Sequence, residues 1–213
     1  MLREQDKKEI QERLKQMVEP VKLKLFTQKV AGTCQYCAET EQLLKEVSDL
    51  TDQLSLEIYN FVNDTTEVKK YDIDKIPAIV IEGKEDYGMR FYGIPTGYEF
   101  ATFLESILKV SGQKSALSQD TIQKLDQINK SVHIQVFVTP TCPYCQSAAL
   151  TAYQLAIESG NIRSDVVEVT EFPHLTQKYN VMGVPKIVIN EEHSFEGALP
   201  ENQFLEQVIN AVK

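Results

Sequence analysis

Apolar positions along this chain change their period in a fixed order, and they do so twice. Ile10, Leu14, Met17 and Val18 recur at helical spacing, as do Ile122, Leu125 and Ile128 later. Alternation follows: Val21, Leu23 and Leu25 are separated by Lys22 and Lys24, and His133 to Val138 repeats the theme. Leu43, Leu44 and Val47, then Ala149, Leu150 and Tyr153, predict a second helix in each half. Strand-like runs come next at Leu56 to Phe61 and at Val166 to Val169. Behind Pro77 and Pro185 lie the apolar runs Ala78-Ile79-Val80-Ile81 and Lys186-Ile187-Val188-Ile189, with hairpin partners around Met89-Arg90-Phe91-Tyr92 and Ser194-Phe195. Helices from Gly97 to about Val110 and from Glu201 to about Val212 close the halves. The pattern predicts an α/β protein of two tandem units, each a helix, then βαβ, then ββα.

Register supports duplication. Cys34 and Cys142 are 108 positions apart, and Tyr71 to Pro77 precedes Tyr179 to Pro185 by the same interval. Thr33/Thr141 and Tyr36/Tyr144 share that register. Phe26 to Cys34 is three residues longer than Phe137 to Cys142, which places an insertion at about Val30-Ala31-Gly32. Phe100 and Phe204 are only 104 apart, so the first half carries four extra residues between its late strands, expected in a loop. The polar stretch Ser111-Gly112-Gln113-Lys114-Ser115 sets the boundary, with units at 1–113 and 114–213.

Composition narrows the function classes. Net charge is −9 over 213 residues and is shared almost evenly between the halves, which disfavours a nucleic-acid partner. No apolar run reaches the 18 or so residues of a membrane span. The start of the chain, Met1 to Lys8, has no apolar signal core, so the cytoplasm is the expected compartment.

All four cysteines lie in two Cys-x-x-Cys pairs, Cys34-Gln35-Tyr36-Cys37 and Cys142-Pro143-Tyr144-Cys145. In a reducing compartment this spacing points to redox chemistry or metal binding. A shared zinc site is disfavoured, because zinc knuckles usually lie roughly 15–20 residues apart, whereas 104 residues separate Cys37 from Cys142. No metal or other cofactor is expected. In each half the first cysteine is read as following a strand and opening a helix, where free N–H groups and the helix dipole favour a thiolate. Cys34 and Cys142 are therefore candidate nucleophiles, and Cys37 and Cys145, one turn inward, candidate resolving thiols. Pro143 suits a first helical turn; Gln35 instead offers a backbone donor. Pro77 and Pro185 head strands where proline cannot join the ladder, which suggests cis bonds after Ile76 and Val184 and an exposed backbone edge for an extended substrate. Tyr36 and Tyr144 either line a substrate surface or cover the helix start. Lys186 and Lys29 are read as solvated charges, and His133, His174 and His193 as surface or core residues.

Thr141-Cys142-Pro143-Tyr144-Cys145, with Gly183-Val184-Pro185 and Gly197, resembles a glutaredoxin-type thioredoxin fold. Two such units, each keeping its Cys-x-x-Cys, resemble the protein disulfide oxidoreductases of archaea and thermophilic bacteria, relatives of protein disulfide isomerase. The resemblance implies two thioredoxin-like folds side by side, each a central mixed β-sheet flanked by helices, with cis prolines beside both motifs. It also implies reduction, oxidation or isomerisation of protein disulfides, a more active C-terminal site, and a thioredoxin-reductase-like flavoprotein as electron donor. The tandem thioredoxin-fold domain of alkyl hydroperoxide reductase flavoproteins has a similar layout, which offers an electron carrier for a peroxiredoxin as the alternative. One departure stands out: neither first strand carries the buried Asp of thioredoxins. Glu57 and Glu168, on the neighbouring strands, are the candidate proton acceptors.

Overall fold

The structure is a computed structural model that describes every residue except Ala31, Gln113 and Lys114. Helix α1 (Glu4–Leu14) is followed by β1 (Val21–Thr27), α2 (Cys37–Ser48), β2 (Leu54–Asn60), α3 (Thr65–Lys70), β3 (Ala78–Glu82), β4 (Asp86–Tyr92) and α4 (Tyr98–Val110). The second half repeats the series as α5 (Gln119–Leu125), β5 (Val132–Val138), α6 (Cys145–Glu158), β6 (Ile162–Glu168), a 3₁₀ turn (Val169–Glu171), α7 (Pro173–Lys178), β7 (Lys186–Ile189), β8 (His193–Glu196) and α8 (Glu201–Asn210). The expected pair of α/β units is present. The short helices α3 and α7 escape the apolar periodicity, since α3 has no buried residue and α7 only Leu175.

Within each unit the middle strand pairs parallel with one neighbour and antiparallel with the next: β1 with β2 and β3, β5 with β6 and β7. The units then share a single mixed sheet in the order β2-β1-β3-β4-β6-β5-β7-β8. The joint is the parallel pairing of β4 with β6, from Met89 opposite Ser164 to Tyr92 opposite Val167. Two edges that would otherwise be unpaired thus satisfy each other's backbone groups.

Alternation along the strands sorts side chains between the two sheet faces. Leu23, Leu25, Ile79, Ile134, Val136 and Ile187 enter the larger core under α2, α4, α6 and α8. Phe26, Val80, Tyr92, Phe137, Val167 and Val188 form the second core, with Tyr71, Phe172 and Leu175. Fully burying such a side chain stabilises by about 1.5–3 kcal/mol, so both faces contribute. Lys24 also points to the second face and is buried, neutralised by Glu57 at 2.5 Å and Glu82 at 3.6 Å.

Three details differ from the sequence reading. The four extra residues lengthen strands β3 and β4 relative to β7 and β8, and the hairpin loop itself is not longer. The helices α2 and α6 begin at the second cysteine of each motif, not the first. Lys186 is buried rather than solvated: it lies on β7, between β5 and β8, and its amine donates to Asn180 O at 3.1 Å. The expected insertion falls partly on Ala31, and the unit boundary on Gln113 and Lys114, outside the described residues.

Candidate active site

Each motif lies where a strand hands over to a helix, and each cysteine pair is joined in its own disulfide, Cys34–Cys37 and Cys142–Cys145. The first intrahelical bond of α2 runs from Thr40 N to Tyr36 O, leaving the N–H groups of the first turn without helical acceptors beside the sulfurs. Although the first cysteines precede the helices, their sulfurs still lie at the positive helix ends, because each is bonded to the cysteine that opens one.

Both X–Pro bonds, Ile76–Pro77 and Val184–Pro185, are cis, as expected from the strand-leading prolines. Cys142 Sγ lies 3.7 Å from Val184 O, so the second motif and its proline loop are in contact. In the first unit Cys34, Ile76 and Pro77 line one cavity of about 300 Å³. A second cavity, of about 500 Å³, opens on the other side of the Cys34–Cys37 disulfide against Lys29, Glu41 and Lys45. Lys29 is exposed and lies 3.5 Å from Glu41, whose carboxyl is held below its ordinary range chiefly by the hydrogen bond from Lys45. The tyrosines part company: Tyr36 is half-buried against the core, whereas Tyr144 is 72% exposed beside Cys142.

The units also support each other's motifs. Gly97, in the loop after β4, has φ +60°, and a Cβ there would sit 2.1 Å from Pro140 O, two residues before Cys142. Tyr98 N donates to that same carbonyl at 2.9 Å. Tyr153 of α6 donates its hydroxyl to Arg90 O at 2.7 Å. At the strand joint, Arg163 binds Asp165 and reaches across to Tyr92 OH (3.0 Å) and Asp72. His133 Nε2 lies 2.7 Å from Asp165. Of the other histidines, His193 contacts Gln207, and His174 is exposed at the first cavity.

Carboxyl placement revises the choice of proton acceptor. Glu57 is committed to Lys24 and Tyr59, and the Lys24 hydrogen bond holds its carboxyl below the ordinary range. Glu168 is buried and accepts from Thr170 N and Oγ1. The group the sequence reading missed is Glu99, in the first turn of α4: it is fully buried and neither carboxyl oxygen has a hydrogen-bond partner. Burial, reinforced by nearby Glu168, pushes it up to about 7. Its signal in the sequence is a lone acidic residue in the otherwise apolar face of α4, with no motif around it.

The fold and the paired sites define a tandem thioredoxin-fold protein with one redox-capable cysteine pair per unit. The chain belongs to the thioredoxin-domain family, which matches residues 26–105 and 132–210. The crystal structure of a protein disulfide oxidoreductase from Aeropyrum pernix k1 is similar over 100% of this chain and 94% of that one, at 32% identity and a TM-score of 0.91. The resemblance read from the two motifs therefore holds. The NTD_N/C domain of the alkylhydroperoxide reductase AhpF from Enterococcus faecalis shares the fold, with a TM-score of 0.89 at 20% identity over 98% of this chain and all of that one. In sequence, the alkyl hydroperoxide reductase AhpF of Staphylococcus aureus is 24% identical over 201 residues, 94% of this chain. The chain spans 37% of the length of that relative. Among the described residues, no helix is long and apolar enough to cross a membrane.

Proposed function

We propose that the chain is a protein thiol–disulfide oxidoreductase with one dithiol site in each of two units, 1–113 and 114–213. In this reading the thiolate of Cys34 or Cys142 attacks a sulfur of a substrate disulfide. A mixed disulfide forms, and the departing substrate sulfur leaves as a thiol after taking up a proton. Cys37 or Cys145 then attacks the mixed disulfide, loses its own proton and releases the second substrate thiol. The observation that carries the reading is the recurrence, in both units, of a Cys-x-x-Cys disulfide beside a cis proline. Ile76-Pro77 and Val184-Pro185 offer a backbone edge for an extended substrate, and Tyr36 and Tyr144 flank it. Glu99 serves as the proton acceptor for Cys145: it is buried, titrates near neutrality, and sits on a helix packed against α6, which Cys145 opens.

Reduction of substrates in the cytoplasm requires a donor, for which a thioredoxin-reductase-like flavoprotein fits the chemistry. An insulin-reduction assay tests the reading. Cys34→Ser and Cys142→Ser should each remove part of the activity and the double variant all of it; unchanged turnover by the double variant would refute the reading. The likeness to the alkyl hydroperoxide reductase AhpF favours a second reading, an electron carrier for a peroxiredoxin. Reduction of a peroxiredoxin without any action on scrambled protein disulfides would decide for that one.

A further inference from the structure

The cavity in front of the first disulfide is not built by the first unit alone. Cys34, Ile76 and Pro77 line one side, and Glu171, Phe172 and His174 of the second unit line the other. Phe172 is buried and His174 exposed, so this wall runs from the core to the surface. Glu171 Oε1 accepts from Ile94 N at 2.7 Å, which pins the carboxyl to the loop after β4. Gly93 makes room for it: with φ +99°, a Cβ at that position would lie 2.7 Å from Glu171 Oε1. The matching segment of the first unit follows β2 at the outer edge of the sheet, so the second site gains no equivalent wall from it.

We propose that Glu171 acts across the unit boundary as the general acid of the first site, protonating the thiol that departs when Cys34 attacks a disulfide lodged in this cavity. The inference rests on the reading of Cys34 as the attacking thiol. The step balances as follows. The Cys34 thiolate forms a bond to one substrate sulfur, the substrate S–S bond breaks, and the other sulfur leaves with its electron pair and takes the Glu171 proton. Cys37 then closes the protein disulfide and its proton goes to the second departing sulfur, while Glu171 regains a proton from water. Two electrons pass from the Cys34/Cys37 dithiol to the substrate, and no other reductant enters.

The carboxyl has a fitting proton affinity. Burial pushes it up to about 7, with further raising by Glu168 on β6 and partial opposition from the Ile94 N–H. The remaining charged or titratable groups at this cavity are His174 on α7, Asp74 and Lys75 before the cis proline, and Cys34 itself. General acid assistance matters for an alkyl thiolate, a poor leaving group, and is irrelevant for an aromatic thiolate, which departs as the anion. A substrate series therefore separates proton donation from mere shape.

The test uses the full chain carrying Cys142→Ser and Cys145→Ser, which leaves only the first site, prereduced and mixed with disulfide in single turnover across pH 5.5–9. The probes are bis(2-hydroxyethyl) disulfide and an aromatic disulfide, 5,5′-dithiobis(2-nitrobenzoate). Glu171→Gln keeps an oxygen for Ile94 N while removing the proton. It should slow the alkyl disulfide by about 10- to 100-fold near pH 6.5. The descending alkaline limb of that rate profile should disappear, and the rate with the aromatic probe should remain within about twofold. An equal loss with both probes, or no loss with the alkyl one, overturns the proposal. Absence of any exchange before Glu171 is changed would refute the reading of Cys34, and this inference with it.

Discussion

The two cysteine motifs occupy equivalent places in duplicated units, yet their surroundings are unlike. The second is held from behind: its loop carbonyl at Pro140 is gripped by Gly97 and Tyr98 of the first unit, and Tyr144 stands exposed at its edge. The first follows a longer loop, has its tyrosine half-buried, and faces a cavity that the second unit helps to wall. Duplication supplied both with a strand, a helix start and a cis proline. Position within the shared sheet supplied the differences, because each unit has a neighbour on only one side.

The contrast between the sites is broken most severely at the strand joint. Asp165 is fully buried between Arg163 and His133, and removing it leaves the Arg163 guanidinium short of its partner. Asp165→Ala should destabilise by about 3–5 kcal/mol in urea unfolding and should loosen both sites together. Burial works against this charge, yet the His133 and Arg163 contacts hold the carboxyl down at about 2. Its stabilisation is therefore present above the ordinary carboxylate range and lost as pH falls from about 4 toward 2.

Gly97→Ala attacks the support of the second motif alone. The new Cβ would meet Pro140 O at 2.1 Å in a backbone region that suits glycine. A loss of about 2–4 kcal/mol is expected, with cysteine exchange at Cys142 disturbed more than at Cys34 when each is followed in single-site variants.

Glu99→Gln sharpens the contrast through pH. A carboxyl raised to about 7 penalises folding above the unfolded value near 4.5, and the penalty grows until about pH 7. The variant should match the parent at pH 4 and exceed its stability by about 2–3 kcal/mol at pH 9. Thermal unfolding at the two pH values checks this; equal stability at pH 9 would mean that Glu99 carries no burial penalty. The smallest effect is expected from exchanging the central residues, Gln35→Pro with Pro143→Gln, which should alter stability by less than about 1 kcal/mol. A larger change would trace the difference between the sites to the motifs themselves rather than to their surroundings.

Much of the architecture is legible in the sequence for local reasons. The 108-residue register, the alternation of Leu23 and Leu25 with lysines, and the prolines at strand starts follow from short-range geometry, so two α/β units and their cysteine pairs can be read directly. The helices start three residues beyond the expected positions because hydrophobic pattern says little about the first turn. Lys186 departs from its expected solvation because burial of a strand lysine depends on which neighbours the strand acquires, and here β7 acquires two.

By itself the sequence determined the repeat, the element order and the placement of four sulfurs beside two prolines, since all of these are set by spacing along one chain. Only the tertiary structure decided that β4 would pair with β6, that Gly97 would meet Pro140, and that Glu99 would be sealed in the core and Glu171 brought before Cys34. Those contacts join residues 43 to 137 positions apart. Whether a carboxyl there is dry or wet, paired or alone, follows from the packing of surfaces that no local pattern encodes.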